Sequence, residues 1–130
     1  SSNLIGIVAQ RLVRRLCKAC KVPLEIGDLE RKLLKLEGSY TDVTIYQAGG
    51  CEKCQGLGYK GRTSIIEILQ TDDTLRQLIS ENASAHALKK AAIDGGFKSL
   101  ADDACRRVID GTTSLEEITR IVDLTDRIGV

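Results

Sequence analysis

Cys17-Lys18-Ala19-Cys20 and Cys51-Glu52-Lys53-Cys54 are the two stretches that decide the fold of this chain. In each pair, the two intervening residues let a tight bend place both thiolates on one edge of a tetrahedron. Two such bends complete a four-sulfur cage for Zn²⁺, with metal–sulfur bonds of ~2.3 Å. The 30 residues between the pairs exceed the ~15–20 of a simple zinc ribbon, and a predicted helix from Asp28 accounts for the surplus. The sequence therefore predicts a structural zinc site at Cys17, Cys20, Cys51 and Cys54.

Two other kinds of chemistry are open to these cysteines. A CxxC pair also serves in thioredoxin-like redox proteins, although neither pair follows a strand and opens a helix in a βαβ unit. A disulfide framework is the second alternative, but nothing in the sequence indicates an oxidising compartment. Catalytic zinc is disfavoured, because four cysteines leave no position for water. The fifth cysteine, Cys105, lies among apolar residues of a predicted helix and is expected to be a buried, unreactive thiol.

The composition is that of a globular chain with an aliphatic core. Of the 130 residues, 42% are hydrophobic and 28% are charged, and the only aromatic residues are Tyr40, Tyr46, Tyr59 and Phe97. So few rings argue against the stacking platforms of most single-strand and RNA-binding modules. A net charge of +1 argues against a chain that merely coats nucleic acid. No apolar run approaches the ~20 residues that cross a bilayer, and no secretion signal is recognisable.

Apolar spacing predicts the elements before residue 70. A helix is predicted over residues 4–16, because apolar residues recur every four positions at Leu4, Val8, Leu12 and Leu16. A second helix is predicted from Asp28 to Glu37, with its leucines inward and Gly38 ending it. Short runs of β-branched and aromatic residues predict strands at Thr44–Tyr46 and Gly61–Leu69.

The pattern after residue 70 is helical. Four short helices are predicted, opened in turn by Thr71 or Asp72, Ser84, Ser99 and Ser114. Ser114 and Glu117 are predicted to form a capping box, in which the hydroxyl and the carboxylate each satisfy a backbone amide at the start of the last helix. The predicted fold class is α+β, mainly α: an N-terminal helix, an inserted tetracysteine zinc module with short strands, and a small C-terminal helical bundle. Loss of the metal is predicted to unfold residues 17–60 and to leave the later helices largely intact.

The segment from Gly56 to Gly61 spells GxGxxG, the pattern of dinucleotide-binding loops. That function requires a strand before the glycines and a helix after them. Here a predicted metal-binding bend precedes the glycines and a strand follows. We therefore expect the glycines to let the backbone curl round the metal and to donate amide hydrogen bonds to sulfur.

Five basic residues, with no acidic residue among them, lie in and around the first cysteine pair: Arg11, Arg14, Arg15, Lys18 and Lys21. It is compatible with a solvated face, a subunit contact or a phosphate-binding patch. His86, the single histidine, lies at the exposed start of a predicted helix, and no nucleophile–base pair can be assembled around it. No GxxxxGK[ST] occurs, so this chain alone is not expected to be an enzyme.

Several ordered motifs resemble the C-terminal third of the secretion ATPases, the hexameric motors of type II secretion (GspE) and type IV pilus assembly (PilB). They are Ala9-Gln10-Arg11-Leu12-Val13-Arg14-Arg15-Leu16-Cys17, the CxxC pairs, Gly58-Tyr59-Lys60-Gly61-Arg62-Thr63-Ser64-Ile65-Ile66-Glu67, and Gly111-Thr112-Thr113-Ser114-Leu115-Glu116-Glu117. The resemblance implies a fragment whose P-loop lies upstream, so that ATP and Mg²⁺ belong only to the parent protein. It implies five segments: a terminal helix of a RecA-like motor domain (1–16), the zinc module (17–60), a motor-domain strand (61–70), a helical subdomain (71–124) and a tail (125–130).

The function implied by this resemblance is that of a zinc-stabilised platform. It would couple ATP hydrolysis upstream to pseudopilus or pilus assembly and protein secretion. Implied partners are the neighbouring subunits of a hexamer and an inner-membrane platform protein, with no nucleic acid, on the cytoplasmic face of the bacterial inner membrane. Arg62 matches an arginine that the family associates with nucleotide-dependent domain contact, and Arg11 and Arg14 match a helix at the subunit seam. The alternative is a stand-alone structural-zinc module that binds protein or nucleic acid.

Overall fold

A long strand replaces the predicted N-terminal helix, and the strand predicted at Gly61–Leu69 is confirmed within a longer one. In the computed structural model, which describes residues 4–36, 43–71, 73–95 and 97–125, residues Leu4–Leu16 form strand β1. It pairs in a two-stranded sheet with β4, Tyr59–Thr71, and each strand is 13 residues long. The helix prediction for residues 4–16 is therefore wrong. Apolar residues are so dense there that they satisfy both periodicities, while Gly6 and the β-branched residues favour the strand once a partner of equal length is present.

A second, smaller sheet lies in the stretch between the two cysteine pairs. Strands β2 (Val22–Leu24) and β3 (Ile45–Gln47) run antiparallel, with Pro23 opposite Tyr46. The predicted strand at 44–46 is thus confirmed within one residue. Ile45 is fully buried and anchors this sheet in the core.

Helix α1 (Asp28–Leu33) connects β2 to β3 and ends earlier than the sequence predicts. Lys35 adopts a left-handed conformation with φ of 54°, which breaks the helix before Glu37. Leu34 and Leu36 are buried beyond the helix end, whereas Leu29 on the helix is exposed. The predicted stop at Gly38 lies outside the described residues.

The four later helices begin and end close to the predicted residues. They are α2 (Asp73–Ser80), α3 (Ala85–Asp94), α4 (Leu100–Ile109) and α5 (Leu115–Ile121). The hydroxyls of Ser84 and Ser114 accept the amide hydrogens of Ala87 and Glu117, as N-cap residues do. Among the described residues, no helix is both long and apolar enough to span a membrane.

The chain divides into two compact units. The first comprises Ser1–Gln10 and Ile66–Leu100, which includes α2 and α3, and in it Ile68 and Lys98 exchange backbone hydrogen bonds of 2.9 and 3.0 Å. The second comprises Arg11–Ile65 and Ala101–Val130, so it contains both cysteine pairs together with α5. Its fully buried aliphatic side chains include Ile45, Ile65, Val108 and Ile118. The α+β class is confirmed, but the later helices are divided between the units and the longest elements are strands.

Candidate metal centre

The two cysteine pairs bring four sulfur atoms together. Sγ of Cys17 lies 3.8 Å from Sγ of Cys51, and Sγ of Cys20 lies 3.7 Å from Sγ of Cys54. Within the second pair, the Cys51 and Cys54 sulfurs are 3.8 Å apart, and all four sulfurs lie within 4.8 Å of one another. Bonds of ~2.3 Å place the sulfurs of a regular ZnS₄ tetrahedron ~3.8 Å apart. The donor set and its spacing therefore fit zinc.

Backbone hydrogen bonds build each bend from the local sequence. In the first bend the carbonyl of Cys17 accepts the amides of Cys20 and Lys21, at 3.3 and 3.0 Å. The second bend is a 3-10 turn, Glu52–Cys54, followed by Gln55 in the left-handed region with φ of 58°. The Cys17 amide donates to the Gly58 carbonyl at 3.0 Å, so the backbone itself ties the first bend to the loop after the second.

Amide groups polarise one sulfur of the cage in particular. The amides of Cys51 and Gly58 donate to Sγ of Cys54, at 3.3 and 3.1 Å. Burial alone raises the pKa of Cys54, but these donors outweigh it and lower the pKa to about 6. Burial and hydrogen bonds to the neighbouring thiols raise the pKa of Cys20 to about 12. Thiolate is the form of cysteine that binds metal, so metal binding displaces the thiol protons that remain.

At two positions beside the cage, neighbouring atoms lie so close to the backbone that only glycine fits. Gly58 has φ of +82°, and a Cβ there would lie 2.6 Å from Cβ of Ala48. A Cβ on Gly49 would lie 2.2 Å from the carbonyl oxygen of Cys20, which carries the first bend. The GxGxxG segment thus positions the metal-binding backbone, as the sequence predicts, and strand β4 begins within it, at Tyr59, where a nucleotide site needs a helix.

The fifth cysteine stands apart from the cage. Cys105 lies on α4, is 2% exposed, and points its thiol at the Leu33 carbonyl at 3.4 Å. It is the buried thiol that the sequence predicts. None of the five cysteines, which all lie in the described residues, forms a disulfide bond, so the disulfide alternative is not observed.

A second feature of this unit, an ion-pair clasp, was not predicted. We call the clasp the set of Arg14, Tyr59, Ser114 and Glu117. Glu117 is 1% exposed, and its carboxylate accepts hydrogen bonds from the Arg14 amide at 2.8 Å and from the Arg14 guanidinium at 2.9 and 3.1 Å. The guanidinium lies 4.2 Å from the centre of the Tyr59 ring, and the Tyr59 hydroxyl bonds the Ser114 hydroxyl at 2.6 Å.

The clasp gives Glu117 a role that differs from the predicted one. Glu117 does not complete the capping box with its carboxylate, because that group binds Arg14 and also Arg120 at 2.9 Å. Burial raises the pKa of Glu117, but the bonds to Arg14 and Arg120 prevail and lower it to about 2. Since Arg14 and Glu117 are 103 residues apart, no local pattern could have paired them.

The remaining candidate residues are not members of the four-cysteine group. Arg62 on β4, Arg11 on β1 and His86 on α3 all have exposed side chains. Neither arginine forms an ion pair with a carboxylate of the described residues. Lys21 donates to the Gly111 carbonyl at 3.2 Å and lies 4.3 Å from the centre of the Tyr46 ring, so it has a structural role.

Fold and site together define a tetracysteine cluster that could hold a metal ion, in the compact unit that also contains the β2–β3 sheet and α5. The family described as Type II/IV secretion system protein matches residues 1–120, and the chain belongs to this family. The chain is 44% identical over 121 residues to the Type II secretion system ATPase E of Vibrio cholerae, which covers 93% of this chain. It is 40% identical over 91% of its length to the Type IV pilus assembly ATPase PilB of Thermus thermophilus. It is 39% identical over 96% of its length to the Type IV pilus assembly ATPase TfpB of Acinetobacter baylyi.

The chain spans about a quarter or less of each of these relatives. The matched region is 24% of the Vibrio protein, 13% of the Thermus protein and 22% of the Acinetobacter protein. The comparisons therefore establish the family of this region, and they name whole proteins that are several times longer.

Proposed function

We propose that this chain is the C-terminal segment of a hexameric secretion ATPase, whose ATP and Mg²⁺ site lies in the preceding part of the protein. Family membership over residues 1–120 and the ATPase names of much longer relatives support this assignment. The segment itself contributes structure rather than hydrolysis, since its sequence holds no GxxxxGK[ST] loop to cradle a triphosphate.

The observation that carries the proposal is the spacing of the four sulfurs. Cys17, Cys20, Cys51 and Cys54 would hold Zn²⁺ in a closed shell, and the ion would supply a rigid cross-link between two bends 34 residues apart. Because no ligand position is left for water, the site would serve structure.

The clasp supports a coupling role for this cross-link. Gly58, which donates to Sγ of Cys54, precedes Tyr59, and Tyr59 bonds the N-cap residue of α5. Arg14 then joins the end of β1 to the same helix through Glu117. A continuous series of hydrogen bonds and an ion pair therefore connects the cage to α5. Through these contacts, a displacement of β1 or β4 would move α5 and the cage together.

The proposed partners follow from the family. The platform would contact neighbouring subunits and an inner-membrane platform protein, and the protein would act at the cytoplasmic face of the bacterial inner membrane. The exposed guanidinium of Arg62 is available to answer a phosphate or carboxylate bidentately, which suits a sensor of nucleotide-dependent contact.

Metal analysis of the purified chain tests the cage. We expect one zinc per chain by elemental analysis, and loss of that zinc in the variant Cys51→Ser/Cys54→Ser. The matched control is Cys105→Ser, which removes a buried thiol outside the cage and is expected to retain full zinc. Metal-free wild-type protein, or equal loss of zinc in both variants, would refute the site.

The motor assignment needs the longer protein that contains this segment. We expect that protein to hydrolyse ATP, and the isolated segment to show no saturable turnover. The variant Arg62→Ala in the long protein should reduce kcat while leaving the zinc content unchanged. Turnover by the segment alone would contradict the proposed division of labour.

A further inference from the structure

Four cationic side chains line a single cleft beside the cysteine cage. The cleft has a volume of about 300 Å³, and we call it the basic cleft, defined by Arg15, Lys18, Lys53 and Lys60. The four residues come from the end of β1, the first bend, the second bend and the start of β4. Because more than 30 residues separate Arg15 and Lys18 from Lys53 and Lys60, the fold has brought the two pairs together.

Internal ion pairs do not account for these charges. None of the four cations forms an ion pair with a carboxylate of the described residues. Glu52 is next to Lys53 in sequence but does not line the cleft. Asp110 lines a neighbouring cleft of about 240 Å³, which shares Arg15 and Lys18, and its carboxylate accepts the Thr112 amide at 3.0 Å.

The metal cage does not neutralise the basic cleft either. A Zn²⁺ ion with four thiolates carries a charge of −2 by simple addition, and Cys17 is part of the cleft wall. Against four cations this leaves an excess of two positive charges. The basic cleft therefore attracts anions when the proposed zinc is bound.

The four positive charges of the basic cleft lie in a small volume, so an anion with a compact charge fits it best. We propose that the basic cleft binds a phosphate group, because a phosphate monoester places a charge of about −2 in a small volume with several acceptor oxygens. An acidic peptide needs two residues to supply the same charge. Leu16 and Cys17 give the cleft an apolar wall, which suits a phosphate attached to a carbon skeleton. The phosphate belongs either to a soluble metabolite or to a phospholipid headgroup.

A titration of the zinc-loaded chain with inorganic phosphate tests the site. Backbone amide resonances of residues 15–18, 53 and 60 should shift and saturate, and equal ionic strength of succinate should not reproduce this. Affinity should fall about tenfold in Lys18→Gln/Lys60→Gln. The matched control Lys89→Gln/Lys90→Gln removes two exposed lysines from α3 and should bind phosphate as the wild type does.

The contrary outcomes are distinct. Shifts that do not saturate, an equal response to succinate, or an equal loss in the two double variants would each overturn the phosphate site. Zinc content reports folding, because neither lysine is a candidate ligand. If Lys18→Gln/Lys60→Gln loses zinc, the single variant Lys53→Gln is titrated with inorganic phosphate instead. This variant alone should weaken phosphate binding.

Vesicles distinguish the source of the phosphate. Phosphatidylcholine vesicles with and without phosphatidylglycerol are sedimented with the protein. Sedimentation that requires phosphatidylglycerol and is competed by inorganic phosphate assigns the headgroup. Phosphate binding without sedimentation assigns a soluble phosphate. Sedimentation that is unchanged in Lys18→Gln/Lys60→Gln would overturn a role for the cleft at the membrane.

Discussion

Glu117 and Arg14 show how a single buried charge can be tolerated in a small unit. The carboxylate is 1% exposed but accepts an amide and two guanidinium groups, so its negative charge is matched at both oxygens. Removing one partner of such a pair leaves an uncompensated buried charge, which is more costly than the pair itself is stabilising.

The variant Glu117→Gln removes the buried charge itself and leaves the partly exposed Arg14 without its carboxylate partner. It is expected to be less stable by about 3 kcal/mol at neutral pH, because the pKa of Glu117 falls from 4.5 to about 2 on folding. Because the folded-state pKa is depressed, this stabilisation is present above pH 4.5 and is lost as the pH falls towards 2. Urea unfolding of wild type and variant across this range measures the difference. Zinc content is measured at each pH, and the two proteins are compared only where both retain zinc. A difference that does not shrink in acid would contradict the ion-pair account.

Gly58 and Gly56 provide a matched pair at the metal loop. Both have positive φ, at +82° and +79°, but a Cβ on Gly58 would clash with Ala48 while a Cβ on Gly56 would meet nothing within 4 Å. We expect Gly56→Ala to cost about 1–2 kcal/mol of backbone strain. Gly58→Ala should add about 1–3 kcal/mol of steric overlap and lower the zinc affinity, measured by competition with a chromophoric chelator. Equal affinities in the two variants would show that the close approach does not support the cage.

At the scale of elements, β1 shows where periodicity misleads. Its apolar residues fit a helical stripe, but the segment pairs with β4 as a strand, in which Val13 and Leu16 are buried and Leu12 is 52% exposed. Helix α5 shows the opposite case. Its start was predictable, because Ser114 satisfies a free amide whatever the rest of the fold does.

Replacing the two N-cap serines by alanine is expected to destabilise their helices by different amounts. Ser84→Ala loses one exposed cap bond and should weaken α3 by about 1 kcal/mol. Ser114→Ala also removes the partner of the Tyr59 hydroxyl, so the loss at α5 should be about 2 kcal/mol. Amide hydrogen exchange of each helix measures both values. Equal losses would mean that the clasp does not stabilise α5.

At the scale of the whole molecule, the division into two units changes the expected result of metal loss. The sequence predicts that residues 17–60 unfold alone, but α5 and most of α4 belong to the same unit as the cage. Leu16 donates to the Thr112 carbonyl at 2.8 Å, and Lys21 donates to Gly111, so the segment between α4 and α5 rests on the first bend.

Chelation of zinc is therefore expected to remove amide protection from β2, β3, α4 and α5 together, since a structural zinc contributes on the order of 10 kcal/mol. Helices α2 and α3 lie in the other unit and should keep most of their protection. Hydrogen exchange before and after chelation compares the two sets of helices. Loss confined to residues 17–60 would restore the expectation drawn from the sequence.

The sequence by itself determined which four cysteines could hold a metal ion, where the helices after residue 70 start, and the family. These depend on spacing within a few residues or on ordered motifs, which the chain carries in its covalent order. Only the tertiary structure decided that residues 4–16 form a strand, that Glu117 binds Arg14, and that Arg15, Lys18, Lys53 and Lys60 share a cleft. Each of these depends on a partner many residues away, and local propensity carries no information about such a partner.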